Sequence, residues 1–312
     1  MHGLIALDWG TSSLRAYWMD GAGSIRESRA RPWGIRQLPA DGFDAALRDI
    51  TAGWPALPRL ACGMVGSRNG WLELPYLDLP ATPPQLAASL RALRAGDGRD
   101  LHIVPGLRNP RRPDVMRGEE TQLVGALAIH PELAGGSRWV LPGTHSKWVS
   151  VQAGAVVDFC TLMTGEMFGL LREHSILCTG SDAGTADPKA FGQGVAAARD
   201  SGSAGALSRL FSARALMLEG TLAPASVPEY LSGLMLGEEL RSQLAGGAFN
   251  ADEPIRLIGD AALCARYREA AAHFGMTLAA PLADTAAHGL WRLAALAGLV
   301  AAGAARTAGA TS

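Results

Sequence analysis

A short signature, G-T-x-S, occurs twice in the chain, as Gly10-Thr11-Ser12-Ser13 and as Gly143-Thr144-His145-Ser146. Each copy follows an apolar run (residues 4–9 and 138–142) and precedes a second short run (14–19 and 147–152) that ends at a glycine-containing turn. A strand, loop and strand repeated in this way point to a duplicated fold. Glycine, threonine and serine in such a turn bring backbone N–H groups and hydroxyls together, a concavity suited to phosphate oxygens. Two such hairpins across a cleft would hold a polyphosphate. Asp8, at the end of the first strand, would then need a cation such as Mg2+ between its carboxylate and the phosphates. Lys147 stands out because the only other lysine is Lys189; it could neutralise charge on a transferred group. The plain alternatives are a turn aspartate for Asp8 and a solvated surface lysine for Lys147.

The intervening pattern supports an α/β chain of two units. In the first, the order reads β-β-β-α-β-α-β. A third strand follows the turn at 20–23, a helix begins at Asp41 with Phe43, Leu47, Ile50 and Trp54 on one face, and a strand lies at 59–65. A Pro-started helix near 84–94 and a strand at 101–104 come next. A helix over 118–130 carries Glu119 and Glu120 in its first turn, where the helix dipole favours acids. Gly135-Gly136 marks the boundary. After the second hairpin and its strand at 155–160, a helix is expected from about 165. Ala-rich helices follow over 180–225, then a helix at 227–244, a strand at 255–258, and a helix ending at Gly275. A final helix, 286–304, is expected to pack back on the first half. The expected units are therefore 1–135 and 136–285.

Composition narrows the function. The net charge is −1 across 312 residues with no basic run, which argues against nucleic-acid or anionic-membrane partners. The four cysteines are scattered, with no C-x-x-C pair, and read as reduced thiols. The first apolar run is too short for a signal sequence, and no uninterrupted apolar stretch reaches the roughly 18 residues of a membrane helix. A cytoplasmic location and small-molecule partners are expected; a homo-oligomer is left open. Other nucleotide and hydrolase signatures fail: there is no G-x-x-x-x-G-K-[ST], G-x-S-x-G or H-E-x-x-H, and "GQGVAA" (192–197) does not follow a strand.

Asp8-Trp9-Gly10-Thr11-Ser12, "PGTHSKW" and "LIGDAAL" resemble, in this order, the two phosphate loops and adenosine segment of the sugar kinase, hexokinase, Hsp70 and actin superfamily. "GMVGSRNGW" (63–71), "VPGL" (104–107), "MRGEETQLVGA" (116–126), "LPGTHSKWV" (141–149), "MTGEMFGLL" (163–171) and "LSGLMLGEEL" (231–240) are similar to the 2-dehydro-3-deoxygalactonokinase family along essentially the whole chain. The resemblance implies an actin-like ATPase fold, two lobes of duplicated ribonuclease H-like units with a nucleotide cleft between them. It also implies ATP and Mg2+, and transfer of the γ-phosphoryl group to the terminal hydroxyl of 2-dehydro-3-deoxy-D-galactonate in galactonate breakdown. Another sugar acid or an amino sugar as substrate, or a non-metabolic ATP-gated sensor, are the competing readings.

Carried over residue by residue, the resemblance assigns phosphate contacts to Gly10, Thr11, Ser12, Gly143, Thr144, His145 and Lys147, with Asp8 on the metal. It assigns the adenosine to Gly259, Asp260 and the helix around Gly233. The general base falls on Glu119 or Glu120: the hexokinase-like N-D-T pattern favours Glu120, towards which the reading leans, and the G-D-Q pattern of other sugar kinases favours Glu119. Sugar-side contacts fall on Gly66, Ser67, Arg68 and Trp71. An arginine among Arg68, Arg108 and Arg117 would take the substrate carboxylate, because guanidinium binds carboxylate in a bidentate way.

Overall fold

The computed structural model describes residues 2–180, 186–247, 249 and 254–301. Residues 181–185 of the expected Ala-rich stretch and 302–304 of the expected last helix lie outside the described residues. The chain divides into two compact units, Met1–Gly136 with Ser150–Phe159 and Asp284–Ser312, and Ser137–Val149 with Cys160–Ala283.

The first unit runs β1 (Gly3–Trp9), β2 (Leu14–Asp20), β3 (Ile25–Arg31), α1 (Gly42–Ile50), β4 (Arg59–Gly63), β5 (Leu77–Asp78), α2 (Pro83–Ala88), β6 (Arg91–Arg94), β7 (Asp100–Ile103), β8 (Leu107–Asn109), β9 (Asp114–Met116) and α3 (Glu119–Ile129). The chain continues through β10 (Gly136–Leu141), β11 (Ser146–Gln152) and β12 (Ala155–Leu162), whose residues 150–159 group with the first unit, and then through α4 (Thr164–His174), α5 (Pro188–Arg199), α6 (Ser212–Leu218), α7 (Val227–Ala245), β13 (Ile255–Ile258), α8 (Ala261–Ala272) and β14 (Leu278–Leu282) of the second. The chain then returns to the first unit as α9 (Thr285–Leu296).

Both main sheets have the same winding. The first has the order β3-β2-β1-β4-β7-β6 and the other β12-β11-β10-β13-β14. In each, the third, second and first strands of the unit lie side by side and the fourth joins the first in parallel. This is the duplicated α/β architecture implied by the two G-T-x-S hairpins. The first sheet's inner strands β1 and β4 are buried along nearly their whole length because both faces are covered.

Two local readings fail, and two strand features are unmarked in the sequence. The expected helix near 84–94 is only α2, started by Pro83 behind a Thr82/Gln85 capping box; the chain then turns into β6, which pairs antiparallel with β7 across the turn at Gly98. The small sheet β5-β8-β9 and the edge strand β14 have no clear sequence pattern; β14 contains Pro281, which an edge tolerates. Asp41 precedes α1 without a side-chain cap.

The first unit's core is built on Trp9, Leu7, Leu14 and Ile103, with Phe43 and Trp71 packed against it. Phe43 lies 5.3 Å from Trp9 edge-on and 5.4 Å from Trp71 in a stack. α9 crosses α3 at Gly125 and Gly289, where a Cβ on Gly289 would stand 1.9 Å from Thr121 O. A matching crossing of α5 and α7 in the second unit places Gly233 so that a Cβ would lie 2.0 Å from Phe191 O. The cysteines form no disulfide, and no helix among the described residues is long and apolar enough to cross a membrane.

Candidate functional site

In the first unit the parallel pairing of β1 and β4 brings a carboxylate and a thiol together at the strand ends. Asp8 is opposite Arg15 in β2 and Cys62 in β4, with the Cys62 thiol 3.9 Å from Asp8 Oδ1. Burial pushes the Asp8 carboxyl up from its ordinary value, and Arg15 offsets part of this. The Cys62 thiol is raised by burial and then by the charges of Asp8 and Glu120, which places all three groups in one neighbourhood.

Glu119 and Glu120 open α3. Gly118 before them has φ 110°, open to glycine but rarely to other residues, and a Cβ there would meet Gly63 Cα at 3.3 Å. The helix start is thereby set close against the end of β4. The two glutamates differ sharply in access. Glu120 is 0% exposed, accepting the Gly118 N–H at 2.7 Å and the Thr121 hydroxyl at 2.9 Å. Glu119 is half-buried and accepts the Arg117 N–H at 3.0 Å. A general base would have to touch the proton it removes, and on access Glu119 suits that role better than Glu120, to which the hexokinase-like pattern points.

Burial, with the Glu119 charge second, pushes the Glu120 carboxyl up to about 8 from 4.5. The folded state therefore holds a proton that the unfolded chain has already released, and stability falls as pH rises from about 4.5 to about 8. The full effect is on the order of 5 kcal/mol. Glu120→Gln is expected to flatten thermal stability against pH over that window; parallel melting profiles for variant and wild type would count against this protonation state.

The first loop is fastened rather than free. The Gly10 N–H donates to Ser13 O at 2.8 Å, and the Ile35 and Arg36 N–H groups donate to Gly10 O and Thr11 O at 3.1 and 3.2 Å. Trp9 Nε1 donates to Trp33 O at 2.9 Å. Ser12 stays exposed. The supporting segment 33–36 was not singled out in the sequence, since its role depends on contacts across the hairpin.

The expected sugar-side residues separate. Trp71 stacks into the core instead of standing open. The Ser67 hydroxyl is used locally, donating to Met64 O at 2.7 Å. Arg68 is exposed. Arg108 is paired with Asp78 through two bonds of 2.6 and 2.8 Å. Arg117 is different: it is 8% exposed, donates through Nη2 to Leu74 O at 2.9 Å, lies 4.4 Å over the Tyr76 ring, and leaves Nε and Nη1 without a partner. Gly66 is beside it, a Cβ there falling 2.9 Å from Nη1.

In the second unit, Gly143 and Thr144 line a cavity of about 380 Å³ with the first turn of α4, one side of α7, and Leu263 and Tyr267 of α8. The Glu166 N–H donates to Thr144 O at 3.0 Å, and His145 bonds the Glu166 carboxylate. The other expected residues lie elsewhere. Lys147 lies in β11, 5% exposed and outside the cavity lining. Gly233 faces α5 at the helix crossing, while its neighbours Ser232 and Met235 reach the cavity. Asp260 caps α8 by accepting the Leu263 N–H at 3.0 Å, and Gly259 packs near Pro142. Phe168, Met235 and Tyr267, which do line it, are ordinary apolar or aromatic helix residues in sequence and carried no signal.

With the site's parts in place, likeness to known proteins is informative. A xylulose kinase structure from Lactobacillus acidophilus matches at TM-score 0.53, with 8% identity and coverage of 96% of this chain and 90% of that one. The activator of 2-hydroxyisocaproyl-CoA dehydratase from Clostridium difficile, with bound ADPNP, matches at 0.51 with 11% identity and 95% coverage of both. The fold is that of the actin-like ATPases and sugar kinases. A crystal structure from Sinorhizobium meliloti, of a protein assigned to 2-dehydro-3-deoxygalactonokinase, is 36% identical with TM-score 0.84, covering 94% of this chain and 98% of the other. Escherichia coli K12 2-dehydro-3-deoxygalactonokinase is 37% identical over 286 residues, 90% of this chain and 94% of the relative. The model of the 2-keto-3-deoxy-galactonokinase family matches residues 8–293, and the chain belongs to that family.

Proposed function

We propose that the chain is an ATP-dependent kinase that phosphorylates the terminal hydroxyl of 2-dehydro-3-deoxy-D-galactonate. The observation that carries this reading is one short segment, Arg117-Gly118-Glu119: a buried guanidinium with two unpartnered N–H groups stands two residues before a reachable carboxylate. A buried cation without its anion is costly. A sugar acid supplies that anion, while its far end carries the hydroxyl to be deprotonated.

In this reading Glu119 accepts the hydroxyl proton as that oxygen attacks the γ-phosphorus and ADP leaves. Gly143 and Thr144 receive phosphates at the mouth of the second unit's cavity, whose apolar walls suit a nucleoside. Thr11 and Ser12 offer the first loop's N–H and hydroxyl groups to phosphate oxygens. No cluster of three or more metal-ligating side chains occurs among the described residues. Mg2+ nonetheless fits Asp8, since it takes one or two carboxylates plus phosphate oxygens and this carboxylate stands at the end of β1, two residues before the first loop. Bound there, Mg2+ would neutralise phosphate charge as it develops.

The test is steady-state ADP release with ATP, Mg2+ and a panel of sugar acids, amino sugars and neutral sugars. Turnover confined to 2-dehydro-3-deoxygalactonate supports the assignment; turnover with an amino sugar alone sinks it. Arg117→Met is expected to raise the KM for the sugar acid about 10–100-fold, the worth of charged hydrogen bonds, with ADP affinity unchanged. An unaltered KM would remove Arg117 from the substrate site.

A further inference from the structure

A fully buried carboxylate lies behind the second unit's cavity and has no part in the steps above. Glu239 of α7 is 1% exposed. Its Oε1 accepts from Trp148 Nε1 at 2.7 Å, its Oε2 from Ser146 Oγ at 2.7 Å, and the Tyr267 hydroxyl stands 3.0 Å from both oxygens. The Thr164 hydroxyl is a further partner. Two of these four donors, Thr164 and Tyr267, line the cavity, and Ser146 closes the second G-T-x-S loop.

We propose that Glu239 is a positioning residue for nucleotide binding: one buried carboxylate fixes the second phosphate loop, the first turn of α4 and the Tyr267 ring relative to one another. The inference rests on the reading of this cavity as the nucleotide site. A carboxylate only accepts hydrogen bonds, so it can take donors from all sides at once. These donors come from β11, α4 and α8, elements far apart in sequence, and Glu239 is the point they share. Glutamine keeps the volume but not the chemistry. Its NH2 group cannot face the Trp148 N–H, so it must take the other side, where the hydroxyls of Ser146 and Tyr267 have to turn round. A buried stabiliser with no positioning role would lower melting temperature in the variant but leave the ratio of the two substrates' constants unchanged.

The experiment is calorimetric titration of wild type, Glu239→Gln and Tyr267→Phe with ADP, alongside KM for ATP and for the sugar acid. Expected are a roughly tenfold weaker ADP affinity and a matching rise in KM for ATP in Glu239→Gln, a smaller change in the same direction in Tyr267→Phe, and a sugar-acid KM within about twofold of wild type. Tyr267→Phe removes a single hydroxyl and keeps the measurement decisive if Glu239→Gln does not fold. ADP affinity unchanged in the folded variants, or both KM values raised by one factor, overturns the positioning role. If wild type itself binds no ADP, the nucleotide reading of the cavity fails and this inference with it.

Discussion

Glu119→Gln is expected to lower kcat by about 10²–10⁴-fold, the usual worth of a general base, with ADP affinity within about twofold of wild type. Glutamine retains an oxygen for the Arg117 N–H, now accepted at 3.0 Å, so the start of α3 keeps its shape and only the proton acceptor is lost. Glu120→Gln should cost far less activity, because a 0% exposed side chain engaged with Gly118 and Thr121 has no surface to offer a substrate. The comparison is steady-state ADP release for the two variants at saturating ATP, with ADP binding measured separately. Activity lost in Glu120→Gln and kept in Glu119→Gln would reverse the assignment in favour of the hexokinase-like pattern.

Gly233→Ala is expected to destabilise the second unit by roughly 3 kcal/mol, lowering Tm by about 6–12 °C. The obstacle is a backbone carbonyl, Phe191 O, 2.0 Å from the new Cβ. No rotamer change removes it; α5 and α7 have to separate. Protein that remains folded should bind ADP as wild type does, since Ser232 and Met235, not Gly233, face the cavity. A variant with unchanged Tm and lost ADP affinity would instead make Gly233 the adenosine contact that the resemblance implies.

These two positions also show how far the sequence could be read. The duplication was legible because loop chemistry and strand periodicity repeat together, and the sheets bear it out in their shared order. The acid pair at the start of α3 was legible because helix N-termini have a local signature. The separation of Glu119 from Glu120 was not, since it is set by the close approach of β4. Nor could the three candidate arginines be sorted: Arg108 is occupied by Asp78, thirty positions away in the chain, while Arg117 is left with two open N–H groups. Glycines of the "LSGLMLGEEL" segment suggest room for a flat base as readily as room for another helix, and only the crossing with α5 decides between them.

The return of α9 to the first unit constrains how the protein can be made. α9 packs on α3 and β1, and its Gly289 completes the crossing at Gly125. It follows every element of the second unit in the chain. On a ribosome, the second unit has all its strands and helices once β14 emerges, whereas the first, begun earliest, waits with one side of α3 uncovered until α9 has emerged as well. The half of the protein synthesised first is thus the last to be finished, and a nascent chain stalled before Thr285 would expose the Gly125 face of α3 for as long as the pause lasts.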